Sequence, residues 1–200
     1  AAGWKATPAH SADVFSAALE DADALPSLVR SVVDTFGRLD GLVDNASAFY
    51  PTPIGSATAA QWDDLFAANA RAPFFLAQAA APELRKNNGA IVNIVDIYAE
   101  RPLADHPIYT MAKAALGMLT LSLAKDLAPE VRVNAVAPGA ILWPASGKAE
   151  DAAEKLIAKT PLARKGEPED VAEAVRWVLF DARYTTGQTI RIDGGRARKK

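Results

Sequence analysis

The chain has 200 residues, of which 50% are apolar and 23% are charged, and its formal net charge is −2 at pH 7. This composition is typical of a globular protein with a sizeable core, and the charge gives no general attraction to nucleic acid or anionic membranes. The absence of cysteine excludes disulfides and thiolate metal sites, and with only two histidines we expect no metal site. No apolar stretch reaches the roughly 18–20 residues of a membrane span, so we expect a cytoplasmic protein.

The first half of the chain predicts two strands that alternate with helices. Residues 14–19 predict a short strand. Residues 22–36 predict a helix, because their apolar side chains recur at helical spacing. A second short strand is predicted over 39–43. Residues 58–86 then predict a long helix with a bend near Pro73, since proline cannot continue the helical hydrogen bonding.

The second half of the chain continues this alternation, beginning with an apolar run that ends at Asp96 and predicts a buried strand. The later predicted elements are a helix over 107–127, a strand over 131–137, a loop over 141–147, helices over 150–159 and 169–180, and a strand over 188–192. Strands that alternate with helices predict a parallel sheet covered on both faces. We therefore expect an α/β, Rossmann-like doubly wound fold that forms one domain over residues 1–200.

Three polar residues of this pattern could form a catalytic group. Tyr109 and Lys113 are four residues apart, which places both side chains on one face of the predicted helix. There the lysine ammonium could lower the pKa of the phenol and allow it to donate a proton near neutral pH. Asp96 follows a buried strand, and open α/β sheets place their sites at the carboxyl ends of strands. Taken alone, Asp96 could instead cap the strand end, and the other two could be a solvated helix face.

Five short motifs, in this order along the chain, resemble the short-chain dehydrogenase/reductase family. Residues 44–47 match the family's Asn-Asn-Ala-Gly segment, and Asn69 matches its active-site asparagine. Tyr109 and Lys113 match its Tyr-x-x-x-Lys motif. Pro138 with Gly139 matches its Pro-Gly motif, and residues 193–195 match its terminal Asp-Gly-Gly. The resemblance covers nearly all of the sequence. It implies an oxidoreductase that transfers hydride from a nicotinamide cofactor, with the tyrosine as the proton donor.

One position departs from the family's pattern. Most members have serine thirteen residues before the tyrosine, and this chain has Asp96. A serine hydroxyl can donate a hydrogen bond to a carbonyl oxygen, whereas an ionised carboxylate only accepts. Residues 45–53 and 95–102 are similar to the pteridine reductases, a subgroup that reduces a C=N bond of dihydrobiopterin, dihydromonapterin or dihydrofolate. That resemblance implies that Phe49 stacks on the pterin, and that Trp143 is either a wall of the pocket or an interface residue.

The same resemblance implies roles for the other site residues. Tyr109 would protonate the ring nitrogen, and Asp96 would orient the substrate or support that proton transfer. Lys113 would hold the nicotinamide ribose, and Asn69 would hold a water that leads protons to Lys113. The residues implied in binding NADPH are Tyr109 and Lys113 together with Asn45, Ala46, Ser47, Pro138, Gly139 and Ile141.

The glycine-rich turn that binds a dinucleotide pyrophosphate does not occur in this sequence. The segment before residue 14 is also too short for a first βαβ unit, which needs roughly 30 residues. Either the sequence joins segments of a longer chain or the protein is truncated. We expect the first, because the loss of a central strand would expose an unpaired sheet edge.

Three functions remain open at this point. A pteridine reductase is preferred, and the alternatives are another carbonyl reductase, such as a 3-oxoacyl thioester reductase, and a scaffold without catalysis. The family resemblance also implies a homotetramer, for which the apolar helix over 111–127 could supply a face. The basic residues 196–200 predict a solvated, mobile terminus.

Overall fold

The structure, a computed structural model, describes residues 12–141 and 157–198. Its helices are α1 (Leu25–Phe36), α2 (Ala59–Phe66), α3 (Ala72–Lys86), α4 (Pro107–Asp126) and α5 (Pro168–Phe180). Its strands are β1 (Gly41–Asp44), β2 (Ala90–Ile94), β3 (Arg132–Pro138) and β4 (Thr189–Ile192). A π-helical segment, Ala67–Arg71, joins α2 to α3. Residues 142–147 of the predicted loop and most of the predicted helix over 150–159 lie outside the described residues.

The strands form one parallel sheet in the order β1-β2-β3-β4, with helices on both of its faces. Ile91 and Val133 face the core shared with α1, α3 and α4. Val92 and Val136 point the other way and pack on Val178 of α5. This alternation confirms the predicted α/β fold. None of the described helices is both long enough and apolar enough to cross a bilayer.

Local sequence explains where the helices start and end. α1 ends at Gly37, whose φ of 76° lies in the left-handed region that glycine adopts readily. Thr58 begins α2 through a capping box with Gln61. The predicted bend near Pro73 takes the form of the π-helical segment directly before it. Because Pro73 has no N–H, the main-chain carbonyl of Asn69 has no donor four residues later.

The prediction of a strand over residues 14–19 is wrong. The described residues 12–18 form no strand and no helix, and turns follow at 19–20. A strand exists only through hydrogen bonds to a neighbour, and β1 pairs only with β2 in the part of the chain that the structure describes. The segment packs instead against the helical face of the core through Leu19, and Arg71 donates a hydrogen bond to the carbonyl of Glu20.

We predict that Arg132 anchors the end of α5 to the sheet. Its guanidinium donates hydrogen bonds to the carbonyls of Val178, Leu179 and Ala182 at 2.8, 2.7 and 3.0 Å. Arg132→Met should lower the free energy of unfolding by about 2 kcal/mol in urea denaturation, because a charged donor is lost. Arg176→Met removes an exposed arginine of α5 and should change it by less than about 0.5 kcal/mol. Equal losses in both variants would contradict this role for Arg132.

Candidate active site

The carboxyl end of β2 and the first turns of α4 bring the predicted triplet together. The Tyr109 hydroxyl donates to Asp96 Oδ2 at 2.7 Å. Lys113 Nζ donates to the carbonyl of Ile94 at 2.9 Å and lies 5.9 Å from the centre of the Tyr109 ring. Asp96 also caps the short turn that follows it, because its Oδ1 accepts the N–H of Tyr98. Asp96 therefore caps this turn and also belongs to the candidate active site.

The electrostatics of this group differ from the sequence-based expectation. Burial raises the pKa of Tyr109, and the charge and hydrogen bond of Asp96 raise it further. The pKa of Tyr109 is thus raised overall and not lowered as expected, because an ionised phenol beside a buried carboxylate is unfavourable. Burial also raises the pKa of Asp96, against its hydrogen bonds from Tyr98 and Tyr109 and the charge of Lys113. The neutral phenol is therefore the favoured form of Tyr109 in this structure.

Asn69 joins the loop after β1 to the helices below it. It is fully buried in the π-helical segment, and its Nδ2 donates to the carbonyls of Ala48 and Leu65, each at 2.9 Å. Its Oδ1 accepts the hydroxyl of Ser47 at 2.7 Å. Both N–H groups of the side chain are thus used within the protein. The predicted water could bind the main-chain carbonyl that Pro73 leaves without its helical donor, and this role stays a prediction.

An aromatic wall stands beside the triplet. Phe49 is 49% exposed as a residue, and its ring meets the Tyr109 ring edge-on, with centroids 4.8 Å apart. It stacks on His106, also at 4.8 Å, with 14° between the planes. The structure therefore places Phe49 at the site, and its stacking on a substrate stays a prediction. His106 was not singled out from the sequence, although it directly precedes the helix that carries Tyr109.

The residues predicted to hold the cofactor lie at the carboxyl ends of β1 and β3. Asn45, Ala46 and Ser47 are exposed directly after β1. Pro138 ends β3, and the N–H of Gly139 donates to the carbonyl of Ile192. A Cβ at Gly139 would lie 2.8 Å from the Cα of Asp193, so only glycine fits this approach.

Two further predicted residues stand at the edge of the described structure. Ile141 is the last described residue after β3, and its side chain lies against Gly166. Trp143 lies outside the described residues, so the structure does not test its predicted role.

The C-terminal segment up to residue 198 contacts the site, unlike the solvated terminus predicted over 196–200, of which residues 199–200 lie outside the described part of the chain. Arg196 donates to the Tyr98 hydroxyl at 3.0 Å, and its charge acts to lower the pKa of Asp96. Asp193 fixes this segment, because its carboxylate accepts the N–H groups of Gly195 and Ala197 at 2.8 and 2.7 Å. The Asp-Gly-Gly motif directly before Arg196 is the sequence feature from which this turn could have been predicted.

Comparison with known proteins agrees with this geometry. A short-chain dehydrogenase model described as enoyl-(acyl carrier protein) reductase matches residues 4–197. The chain belongs to the short-chain dehydrogenase/reductase family. This reductase is similar in fold to a crystal structure from Sinorhizobium meliloti named as a short-chain alcohol dehydrogenase. The two share 30% identity with a TM-score of 0.89, over 93% of this chain and 76% of that one.

Curated relatives carry two kinds of name. A granaticin polyketide synthase component of Streptomyces violaceoruber, named as a ketoacyl reductase, is 40% identical over 88% of this reductase and 73% of its own length. The 3-oxoacyl-(acyl-carrier-protein) reductase FabG of Staphylococcus aureus is 35% identical over 90% of this reductase and 75% of its own length. Pteridine reductase 1 of Leishmania tarentolae is 38% identical over 84% of this reductase and 66% of its own length.

These relatives establish a short-chain oxidoreductase, and the family uses NAD(P)H. The expectation of a reductase is thus confirmed, and the alternative of a scaffold without catalysis is not supported. For the substrate, the names favour the alternative of a 3-oxoacyl thioester reductase over the preferred pteridine reductase.

Proposed function

We propose that this reductase uses NADPH to reduce a C=N bond of a pterin or a similar nitrogen heterocycle such as dihydrofolate. The observation that carries the proposal is the 2.7 Å hydrogen bond from the Tyr109 hydroxyl to the Asp96 carboxylate. It puts a hydrogen-bond acceptor at the place where the family's serine would supply a donor.

A carboxylate beside the proton donor selects for the charge of the substrate. When Tyr109 gives up its proton, a phenolate forms next to Asp96, and two like charges at this distance disfavour the transfer. A ketone offers only an acceptor oxygen and cannot compensate the carboxylate. A heterocycle with N–H groups donates hydrogen bonds to the Asp96 carboxylate and partly neutralises its negative charge. Tyr109 can then protonate the neighbouring ring nitrogen.

The aromatic wall suits the same class of substrate. Phe49 presents a half-exposed ring next to Tyr109, where a flat heterocycle could stack. Stacking would fix the orientation of the ring, and positioning of this kind accounts for much of the rate gain in reactions with little covalent chemistry by the protein.

The described residues fit the nicotinamide half of the cofactor. The Lys113 ammonium has three donors, and the part of the chain that the structure describes uses one of them, at the Ile94 carbonyl. The remaining donors suit ribose hydroxyls, and the exposed residues after β1 could contact the same moiety. When bound, NADPH supplies the hydride. The preference for NADPH over NADH rests on the resemblance to the pteridine reductases.

Reduction of 3-oxoacyl thioesters is the second candidate. The names of two relatives support it. One feature of the site supports it as well, because burial raises the pKa of Asp96. A neutral carboxyl group could donate a hydrogen bond to a ketone oxygen as serine does.

Initial rates with NADPH separate the two candidates. We expect kcat/KM for dihydrobiopterin or dihydrofolate to exceed that for an acetoacetyl thioester by at least about 100-fold, because unpaired buried polar groups discriminate strongly. Replacing NADPH by NADH serves as the cofactor control and should lower both values. A higher kcat/KM for the thioester would overturn the pterin proposal and support the second candidate.

We also propose that the protein assembles as a homotetramer through α4. Met111, Met118 and Leu121 of this helix are exposed large apolar side chains, and Met118 is 62% exposed. Exposed apolar patches on a helix mark protein interfaces. Light scattering should give four times the mass of a single chain under denaturing conditions, and Met118→Glu should lower it. A monomeric mass for the unaltered protein would contradict this assembly.

A further inference from the structure

Asp44, the last residue of β1, carries a carboxyl group that the proposed chemistry does not use. Its side chain is buried, with 7% exposure for the residue. Its Oδ2 has no hydrogen-bond partner within residues 12–141 and 157–198. A buried carboxylate oxygen without a donor is unfavourable, so a group in this state calls for a physical explanation.

The neighbouring strand carries a second acceptor of the same kind. Asp44 pairs in register with Asn93 of β2, and residues in register on parallel strands point to the same face. The Asn93 Nδ2 donates to Thr120 Oγ1 of α4 at 2.9 Å, but its buried Oδ1 has no donor in the same described part of the chain. One proton on Asp44 could satisfy both oxygens, because a neutral carboxyl group donates a hydrogen bond.

The same face of α4 carries Lys113. Thr120 lies seven residues after Lys113, two turns along one side of the helix. Lys113 is 3% exposed, and its Nζ bonds the carbonyl of Ile94, the residue after Asn93. Asp44 and Lys113 therefore lie close enough for their charges to interact.

These neighbours place the titration of both groups near neutral pH. Burial raises the pKa of Asp44 to about 7, and the charge of Lys113 opposes the rise. Burial lowers the pKa of Lys113 to about 8, and the charges of Asp96 and Asp44 oppose the fall. Lys113 is the charged group that acts on Asp44 from α4, and Asp96 and Asp44 act on Lys113 from the ends of β2 and β1.

We propose that Asp44 is a positioning residue for Lys113, and that its buried carboxylate keeps the Lys113 ammonium protonated to a higher pH than Asp96 alone would. In acid, Asp44 is a neutral acid that donates to Asn93 Oδ1. As the pH rises, that proton leaves to solvent and the resulting carboxylate faces the ammonium. The inference rests on the family membership and on Lys113 as a site residue, and it holds for either candidate substrate.

Direct titration of Lys113 in Asp44→Asn tests the inference without any substrate. The chain would carry 13C-labelled lysine, and the Lys113 signal would be assigned by its loss in Lys113→Met. We expect the pKa of Lys113 to fall in Asp44→Asn by on the order of one unit, because an opposite charge is removed. Asp40→Asn is the matched control, since Asp40 is half-exposed and pairs with Arg38 at the start of the same strand. An unchanged Lys113 pKa in folded Asp44→Asn would overturn the proposal.

Activity adds a readout that a merely structural role would not give. The alkaline limb of the kcat/KM profile of Asp44→Asn should move to lower pH by the same amount as the Lys113 pKa. A uniform scaling of the whole profile, without such a shift, would contradict the proposal.

The unaltered protein provides a test even if Asp44→Asn fails to fold. The Lys113 signal should respond to two titrations, one near pH 7 from Asp44 and one near pH 8 from Lys113 itself. Infrared difference spectra should show a carboxylic acid C=O band that is present in acid and disappears as the pH rises through about 7. A single Lys113 titration with no such band would overturn the inference.

Discussion

Tyr109→Phe should lower kcat by a factor of about 10²–10⁴, because the variant removes the general acid. The phenylalanine ring keeps the packing on Leu65 and Ile108, so the fold should remain. Asp96 Oδ2 loses its 2.7 Å hydrogen bond and should be easier to protonate. The measurement is steady-state kcat with NADPH and the substrate that the rate comparison identifies, together with a thermal melt that verifies folding.

Tyr50→Phe is the matched control for this prediction. The Tyr50 hydroxyl donates to Asp64 Oδ2 at 2.7 Å, which makes it a second tyrosine–aspartate pair close to the same loop. Its partner is a side chain of α2 rather than Asp96, so we expect its removal to leave kcat within about twofold of the unaltered protein. A Tyr109→Phe protein that is folded and as fast as Tyr50→Phe would show that Tyr109 is not the proton donor.

Lys113→Met should be nearly as damaging, with kcat/KM lowered by on the order of 10²-fold or more. The change removes the donors that we assign to the ribose and the positive charge that faces Asp96 and Asp44. Because Tyr109 and Lys113 act as one unit, the double variant should be little slower than either single variant. The measurement is kcat/KM for the two single variants and the double variant under identical conditions.

Lys125→Met provides the control on the same helix. Lys125 lies exposed in the last turn of α4 and should tolerate the same substitution without loss of kcat/KM. Additive losses in the double variant, or a Lys113→Met protein as active as Lys125→Met, would contradict the assigned role.

The sequence predicted those parts of the molecule that depend on local spacing. Apolar periodicity placed α1, α4 and α5 within a few residues, because a helix buries one stripe of side chains. The four-residue spacing of Tyr109 and Lys113 predicted a shared helix face, and the end of an apolar run predicted where Asp96 would meet them. These features follow from the geometry of single elements and of strand ends in a parallel sheet.

Features that depend on distant neighbours were missed or predicted wrongly. The segment 14–19 has strand-like residues, but strand formation requires a partner, and β1 pairs only with β2 among the described residues. The rise in the pKa of Tyr109 depends on its burial against α2 and the loop after β1, and on the nearby Asp96. Arg196 reaches Tyr98 across ninety-eight residues of sequence, a contact that no local pattern reports.

Asp44 illustrates the limit in a single residue. Its place in a motif was evident from the sequence, where it stands in the position of an asparagine of the resembling family. Its neighbours Asn93 and Lys113, and an oxygen without a partner among the described residues, follow from strand register and from the packing of α4 on β2. Neither can be derived from the motif alone.

The substitution Asp96→Ser tests most directly whether Asp96 sets the class of substrate. The measurement is the ratio of kcat/KM for the pterin to kcat/KM for the acetoacetyl thioester, in the unaltered protein and in the variant. Serine donates a hydrogen bond to a carbonyl oxygen and no longer places a negative charge beside Tyr109. We predict that the ratio falls by about 100-fold or more in Asp96→Ser, with thioester reduction rising in absolute terms. An unchanged ratio would contradict the account.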